Sequence, residues 1–206
     1  MADATVYIVD DDPAIRDSLT FLFNSVNLRS QTYSEAAEFL AAWSPDLRGC
    51  AIVDVRMPNM SGVDLFEELR KRDSDLPVVF LTAHGDIHLA VRAMKDGAFD
   101  FVEKPFNQQD LLEIVQKAIR ADSEGRAIHE QRIEIERRLA GLTSREREVL
   151  YRVVKGESNR GMAAALGLSE KTIEFHRAKM MEKMRAGSLA ELIMMITTMG
   201  RPVAPR

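Results

Sequence analysis

At 206 residues, with 46% hydrophobic and 29% charged side chains, the chain can hold one large or two small globular domains, and its composition excludes disordered and fibrous classes. No apolar run approaches the roughly 20 residues that span a bilayer, and Met1 opens onto Ala2, Asp3 and Ala4 rather than a basic, apolar leader, so a cytoplasmic protein is expected. The net charge of −4 divides unevenly: residues 1–120 hold 12 Lys and Arg against 20 Asp and Glu, or −8, while residues 121–206 hold 16 against 12, or +4, which couples an acidic regulatory half to a half suited to a polyanion.

Thr5–Val9 is the first β-rich run, and three aspartates, Asp10, Asp11 and Asp12, follow it. Asp12-Pro13 supplies an N-cap and a proline at the first helical position, opening a helix through Ile15, Leu19 and Leu22. A strand at 28–33 and a helix at 34–43 come next, then a strand at 50–53 whose Cys50 reads as a buried small hydrophobe. As the single cysteine, Cys50 also rules out an intramolecular disulfide. A helix at Gly62–Lys71, a strand at 78–81, a helix at 86–96 closed by Gly97, and a strand at 99–102 complete the alternation. From about Gln109 a fifth helix carries Leu111, Leu112, Val115, Ala118 and Ile119. Regular βα alternation predicts an α/β fold, a five-stranded parallel doubly wound sheet with right-handed crossovers. Ligands of such sheets bind beyond the C-terminal strand ends.

Those ends carry the polar residues. Asp10 and Asp11 follow the first strand and Asp54 the third, while Asp12 reads as a cap. Two carboxylates about 4 Å apart at an effective dielectric near 20 repel by about 4 kcal/mol, so three together call for a hard divalent cation, Mg²⁺ inside cells. Thr82 follows the fourth strand and Lys104 the fifth. Asp54, a metal, an ammonium and a hydroxyl form the set that a phosphoryl group on Asp54 would need. A phosphatase that acts on outside substrates would use Asp-x-Asp; here Asp54-Val55-Arg56 puts an arginine at the second acid, so no enzyme is expected.

Residues 1–120 resemble the receiver domain of two-component response regulators, through Val9-Asp10-Asp11, Asp54 with Met57-Pro58 and Gly62, Thr82-Ala83 and Lys104-Pro105-Phe106. The resemblance implies that Asp54 accepts phosphoryl from a sensor histidine kinase, and that Asp11, Asp54 and the Arg56 carbonyl hold Mg²⁺ with Asp10 joined through water. It implies further that Lys104 and Thr82 contact the phosphoryl oxygens, that Lys104-Pro105 is cis, and that Phe101 is the switch aromatic. From the residues alone, a Phe in the last strand reads as core.

Residues 121–138 are dense in Glu and Arg, with Ile128, Ile133 and Ile135 but no heptad repeat, and read as a continued helical linker with Gly125 its weak point, a flexible linker being the alternative. Residues 139–206 read as an all-α four-helix domain. Thr143 with Glu146 makes a capping box, Gly156 ends that helix, a second helix spans Asn159–Leu166, Gly167 breaks it, Ser169 caps a third helix to Met184, and Ser188 with Glu191 makes another box. The tight glycine turn between two helices, with 12 Lys and Arg against seven Asp and Glu after residue 138, favours phosphate contact over a plain helical bundle. Ile173, Met180 and Met184 take the inward face of the third helix and Lys171, Glu174, Phe175, Ala178 and Lys179 the outward one. Lys171, Arg177 and Lys179 read as phosphate or guanine contacts, Glu174 as a cytosine acceptor, and His176 as a packing residue.

This half resembles the LuxR-type DNA-binding domain, and the whole chain is similar to the FixJ branch of the NarL/FixJ response regulators. The match runs through Leu142-Thr143-Ser144-Arg145-Glu146, Leu166-Gly167, Ser169, Thr172-Ile173-Glu174 and His176-Arg177, and through His84-Gly85-Asp86 in the first half. Gly161 and the bulky Phe175 depart from the pattern. The resemblance implies a third helix in the major groove, with Thr172 among its contacts. Because Thr82 and Lys104 frame residues 86–119 in sequence, a homodimer is expected to form through that surface on phosphorylation, with RNA polymerase as a further partner. The competing expectation is a receiver that signals by protein contact and carries a vestigial helical tail.

Overall fold

The computed structural model describes residues 4–83 and 87–199. They divide into two compact units at Arg126/Ala127. In the first unit the strands β1 (Thr5–Val9), β2 (Arg29–Tyr33), β3 (Gly49–Asp54), β4 (Val78–Thr82) and β5 (Asp100–Glu103) form one parallel sheet in the order β2-β1-β3-β4-β5. Helices α1 (Pro13–Ser25), α2 (Ala36–Ala42), α3 (Gly62–Lys71), α4 (Ile87–Lys95) and α5 (Gln108–Ala140) connect and follow them. The two-residue period of the strands sorts the core. Tyr7, Val9, Ala51, Val53, Val78 and Phe80 pack with α2, α3 and α4, whereas Val6, Ile8, Cys50, Ile52, Val79 and Leu81 pack with α1 and α5. Cys50 is buried, and burial pushes its thiol up to about 12, which leaves it inert as expected.

Most expected elements lie within a residue or two of their positions. The second helix starts later than expected, at Ala36, because Ser34 gives its N–H and hydroxyl to the Glu38 carboxylate at 2.9 and 3.2 Å and stays outside the helix. The expected start of the fourth helix at Asp86, and the His84-Gly85-Asp86 motif, lie outside the described residues. Among the described residues no helix is long and apolar enough to cross a membrane.

The second unit holds α6 (Ser144–Val154), α7 (Asn159–Leu166), α8 (Glu170–Met184) and α9 (Leu189–Thr198) around a core that includes Val149, Leu150, Met162, Ile173, Met180, Met184 and Leu192. Thr143 and Glu146 form the reciprocal capping box, and the buried Glu146 carboxylate also accepts from Lys183 at 2.7 Å. Hydrogen bonds from Lys183 and Thr143 outweigh burial and hold this carboxyl below its ordinary range. Gly161 lies in the first turn of α7, where the Ser158 hydroxyl accepts its N–H at 3.1 Å, so a glycine is tolerated better there than in a helix interior. Gly167 ends α7 at φ 64°, a left-handed conformation that a side chain would strain. The expected box at Ser188 is only half made: Ser188 accepts from Glu191 N–H, but the Glu191 carboxylate accepts from Gly187 N–H at 2.8 Å instead of reaching Ser188.

Helix α5 continues through Gly125, and its segment 121–138 is not uniformly solvated. Asp122 is buried and accepts from Gly49 N–H and from the Arg126 guanidinium, both at 2.9 Å, while Arg126 also donates to the carbonyls of Pro45 and Leu47. These contacts belong to the first unit. In the second unit Ile135 is 2% exposed within the core, Arg132 donates to the Met199 carbonyl and Arg138 to that of Met184, both at 3.1 Å. Two arginines from α5 therefore serve the C-terminal ends of α9 and α8, where cations are favoured. A fragment of residues 127–206 is expected to be more stable than one of residues 139–206 by about 3 kcal/mol, the range for deleting a buried Ile. Urea denaturation of the two fragments measures the difference, and equal midpoints would remove Ile135 and its neighbours from the folded core.

Candidate functional site

Strand order brings the C-terminal ends of β1, β3, β4 and β5 side by side. Val9 pairs with Val53, Asp54 with Leu81 and Thr82 with Glu103, so Asp10, Asp54, Thr82 and Lys104 share one rim. Asp54 sits against the start of α3, and Gly62 makes this possible: a Cβ there would lie 2.2 Å from the Asp54 carbonyl oxygen. The Gly62 N–H donates to Val55 O at 3.0 Å, which fixes the strand-to-helix loop under the carboxylate.

Lys104 Nζ lies 2.8 Å from Asp10 Oδ2 and 2.5 Å from Asp54 Oδ1. The second oxygen of each carboxylate accepts a backbone N–H, from Asp12 at 2.9 Å for Asp10 and from Arg56 at 2.8 Å for Asp54. Asp12 caps α1 through Ala14 N–H at 2.8 Å, as expected. Burial lifts the Asp54 carboxyl above its ordinary range, against the pull of the Lys104 hydrogen bond and charge. Burial would lower Lys104, but hydrogen bonds to Asp10 and Asp54 outweigh it and hold the ammonium charged. The geometry favours an ion pair with both acids, so Asp54 is a poorly hydrated carboxylate beside a fixed cation.

The expected cluster of three acids is a cluster of two. Asp11 is exposed, and among the described residues no three His, Cys, Asp or Glu side chains gather into a metal cluster. The Lys104 ammonium pairs with both Asp10 and Asp54. Asp54, Asp10 and the exposed Asp11 that follows it offer hard carboxylate oxygens at one rim, a donor set that fits Mg²⁺. Thr82 is fully buried, yet its hydroxyl donates to the Ala83 carbonyl at 3.2 Å and is not brought to Asp54. Phe101 is half-buried against the Tyr7, Val9 and Phe80 side of the core, as the residue-level reading has it. The Lys104-Pro105 peptide is cis. Sequence reasoning missed Arg16, whose guanidinium donates to the Asp10 carbonyl at 2.6 Å from one turn into α1. A basic residue one turn beyond three aspartates was the available signal.

In the second unit the turn at Gly167 sets α8 after α7, with Ser169 capping α8 through Thr172 N–H at 3.1 Å. Ile173, Met180 and Met184 are buried, and Lys171, Glu174, Phe175, Ala178 and Lys179 are exposed. Three of the expected contact residues hold partners within the protein. Arg177 is half-buried and gives its guanidinium to Asn159 Oδ1 of α7 at 3.0 Å, and the Thr172 hydroxyl bonds Ser169 Oγ at 2.8 Å. Lys179 is exposed but paired with Glu182 at 2.8 Å. Of the other basic residues near the end of α8, Lys183 is paired with Glu146 at 2.7 Å and Arg185 with Glu134 at 3.8 Å. The wheel placed the faces; a helical turn brings such partners together only once α5, α6 and α7 are packed. His176 is half-buried with its ring 5.7 Å from that of Phe175.

Comparison with known proteins bears on both sites. The family described as response regulator receiver domain matches residues 6–116, and that of bacterial regulatory proteins, luxR family, matches residues 140–196. The transcriptional regulatory protein FixJ of Azorhizobium caulinodans is 44% identical over 97% of this chain and 94% of its own length. The solved structure of the response regulator StyR superposes with a TM-score of 0.85 at 38% identity, covering 95% of this chain and 98% of StyR. Full-length FixJ from B. japonicum gives a TM-score of 0.61 at 39% identity over 97% of this chain and 98% of its own.

Proposed function

We propose, since this chain belongs to the FixJ-like response regulators that join a receiver domain to a LuxR-type DNA-binding domain, that a phosphoryl group on Asp54 controls its binding to promoters. The observation that carries this reading is the Asp54 carboxylate held between the Lys104 ammonium and the Arg56 N–H at the rim of the sheet. An Asp54 oxygen attacks the phosphorus of a phosphohistidine on a sensor histidine kinase; the P–O bond forms, the P–N bond breaks, and the histidine leaves with a proton. Burial strips water from the Asp54 carboxylate, which favours its attack. Asp11, Asp54 and the Arg56 carbonyl, with Asp10 through water, would hold Mg²⁺, whose charge offsets that gathering on the phosphoryl oxygens. Lys104 then moves from a carboxylate pair to a phosphoryl contact, and Thr82 exchanges the Ala83 carbonyl for a phosphoryl oxygen.

The movement of Thr82 and Lys104 reshapes α4, β5 and α5, with Phe101 as coupler, and residues 86–119 form a homodimer. Leu89 and Val91 on α4 are exposed apolar side chains within that surface. A full switch from 1:99 to 99:1 takes about 5.5 kcal/mol of differential stabilisation, within reach of several charge-assisted contacts. The dimer presents two α8 helices to half-sites about one helical turn apart, and RNA polymerase meets the bound regulator. Residues 1–120 act as the receiver, 121–138 as the connecting helix and 139–206 as the DNA-binding domain.

Binding of the phosphorylated chain to a selected operator tests the reading. Lys171→Ala and Lys179→Ala should weaken binding with the circular dichroism unchanged, each lowering the salt slope by about 1 if the lost contact is to phosphate. Arg177→Ala should weaken binding and also lower the melting temperature, because its guanidinium ties α8 to α7. Unchanged binding by all three variants would displace α8 from the groove.

A further inference from the structure

Lys171, Glu174, Phe175 and Ala178 are all exposed and spaced as i, i+3, i+4 and i+7, so they form one stripe along α8. Their neighbours are committed within the protein: Thr172 to Ser169, Arg177 to Asn159 and Lys179 to Glu182. The stripe itself presents an ammonium, a carboxylate, a phenyl ring and a methyl group.

Two of these suit a surface that meets only phosphates poorly. Phe175 is 60% exposed, and among the described residues its one ring contact is with His176. Among the described residues no cation pairs with Glu174, whereas Glu182 on the same helix pairs with Lys179. A single exposed apolar residue is ordinary. A phenyl ring beside an unpaired carboxylate on the helix that approaches a polyanion is costly unless each has a partner there. The major groove offers one suitable partner for each. Thymine alone presents a methyl group. Guanine presents only acceptors, which repel a carboxylate, and adenine places an acceptor beside its amino group, so the N4 amino group of cytosine is the donor that fits.

Resting on the placement of α8 in the major groove given above, the geometry points to a specific readout. Phe175 packs on a thymine 5-methyl group, and Glu174 accepts from the N4 amino group of a cytosine in the adjoining base pair. Phe175 and Glu174 are then specificity-determining residues, and the half-site carries adjacent T·A and C·G pairs.

The test uses the full phosphorylated chain. Bound sequences are selected from randomised duplexes, and each thymine of the selected half-site is then replaced singly by uracil, which removes only the methyl group. One such replacement should weaken wild-type binding about fourfold, the equivalent of the ~0.8 kcal/mol of one buried methyl group. Phe175→Ala should bind both duplexes alike, and Phe175→Leu, which keeps an apolar contact, should retain part of the difference. Glu174→Gln should move the preference at the neighbouring cytosine toward adenine, the base that Gln pairs with in both directions. A uracil penalty absent from the wild type, or undiminished in Phe175→Ala, overturns the proposal. A wild-type chain that binds DNA but enriches no shared sequence overturns it together with the groove placement of α8.

Discussion

Asp54→Asn is expected to abolish phosphoryl uptake altogether. A small acyl-phosphate donor with Mg²⁺ should add one phosphoryl group to the wild-type chain and none to the variant, as read by intact mass spectrometry. The other acids at the rim cannot substitute. Asp10 is 1% exposed, with one oxygen on Lys104 and the other on the Asp12 N–H, and Asp11 is exposed with, among the described residues, no ammonium held against it. Only Asp54 combines access, a fixed cation and a backbone donor. The variant should fold at least as well as the wild type, because ionised Asp54 opposes folding: its folded pKa is raised, so its contribution falls as pH rises from the ordinary value of 3.8 through the folded one. Undiminished labelling of the Asn variant would eliminate Asp54 as the acceptor.

Lys104→Ala should produce the largest loss of receiver stability of any single change at the rim. It leaves two carboxylates, Asp10 and Asp54, against each other in a buried site without their common cation. Breaking such a pair costs about 3 kcal/mol. The pH dependence has a definite sign. Lys104 is raised above 10.5 in the folded state, so its stabilisation is complete below that value and is lost as pH rises through the folded pKa. The gap between wild type and variant should therefore be full at neutral pH and close above about 10.5. It should also narrow in acid, as the Asp54 carboxyl, already held above its ordinary range by burial, protonates. Millimolar Mg²⁺ should recover part of the neutral-pH loss, since a ligand that binds only the folded state stabilises it. Urea denaturation across pH, with and without Mg²⁺, reads all of this, and a variant as stable as wild type at pH 7 would show that the acids do not depend on Lys104.

Strands β1, β3 and β4 were legible because central parallel strands with both faces covered read as short apolar runs, and each of these runs leads into a polar residue. Asp10, Asp54, Thr82 and Lys104 could be placed on one rim from strand order alone. Their hydrogen bonds could not. Whether the Thr82 hydroxyl faces Asp54 or the Ala83 carbonyl is a matter of one rotamer, and no spacing rule reports it. The segment 121–138 reads as a continued helix and is one, but what it packs against was not legible. Its apolar pattern fades because α5 changes partner: Asp122 is buried by hydrogen bonds rather than by apolar contact, and Ile135 enters a different core. A single periodicity cannot describe a helix that serves two units. In α8 the wheel gave the faces correctly, but Arg177 is held by Asn159, 18 residues earlier in sequence, which only the packed turn reveals.

Sedimentation of the receiver unit, residues 1–126, before and after phosphorylation tests the switch most directly; the fragment keeps Asp122 and Arg126, which fasten the end of α5 to Gly49 and its loop. Dimerisation through residues 86–119 requires a monomer that becomes a dimer at micromolar concentrations when Asp54 is phosphorylated, and an Asp54→Asn fragment that stays monomeric throughout. Phosphorylated and unphosphorylated fragments that are both monomeric would contradict it, and release of the DNA-binding domain would replace dimerisation as the mechanism.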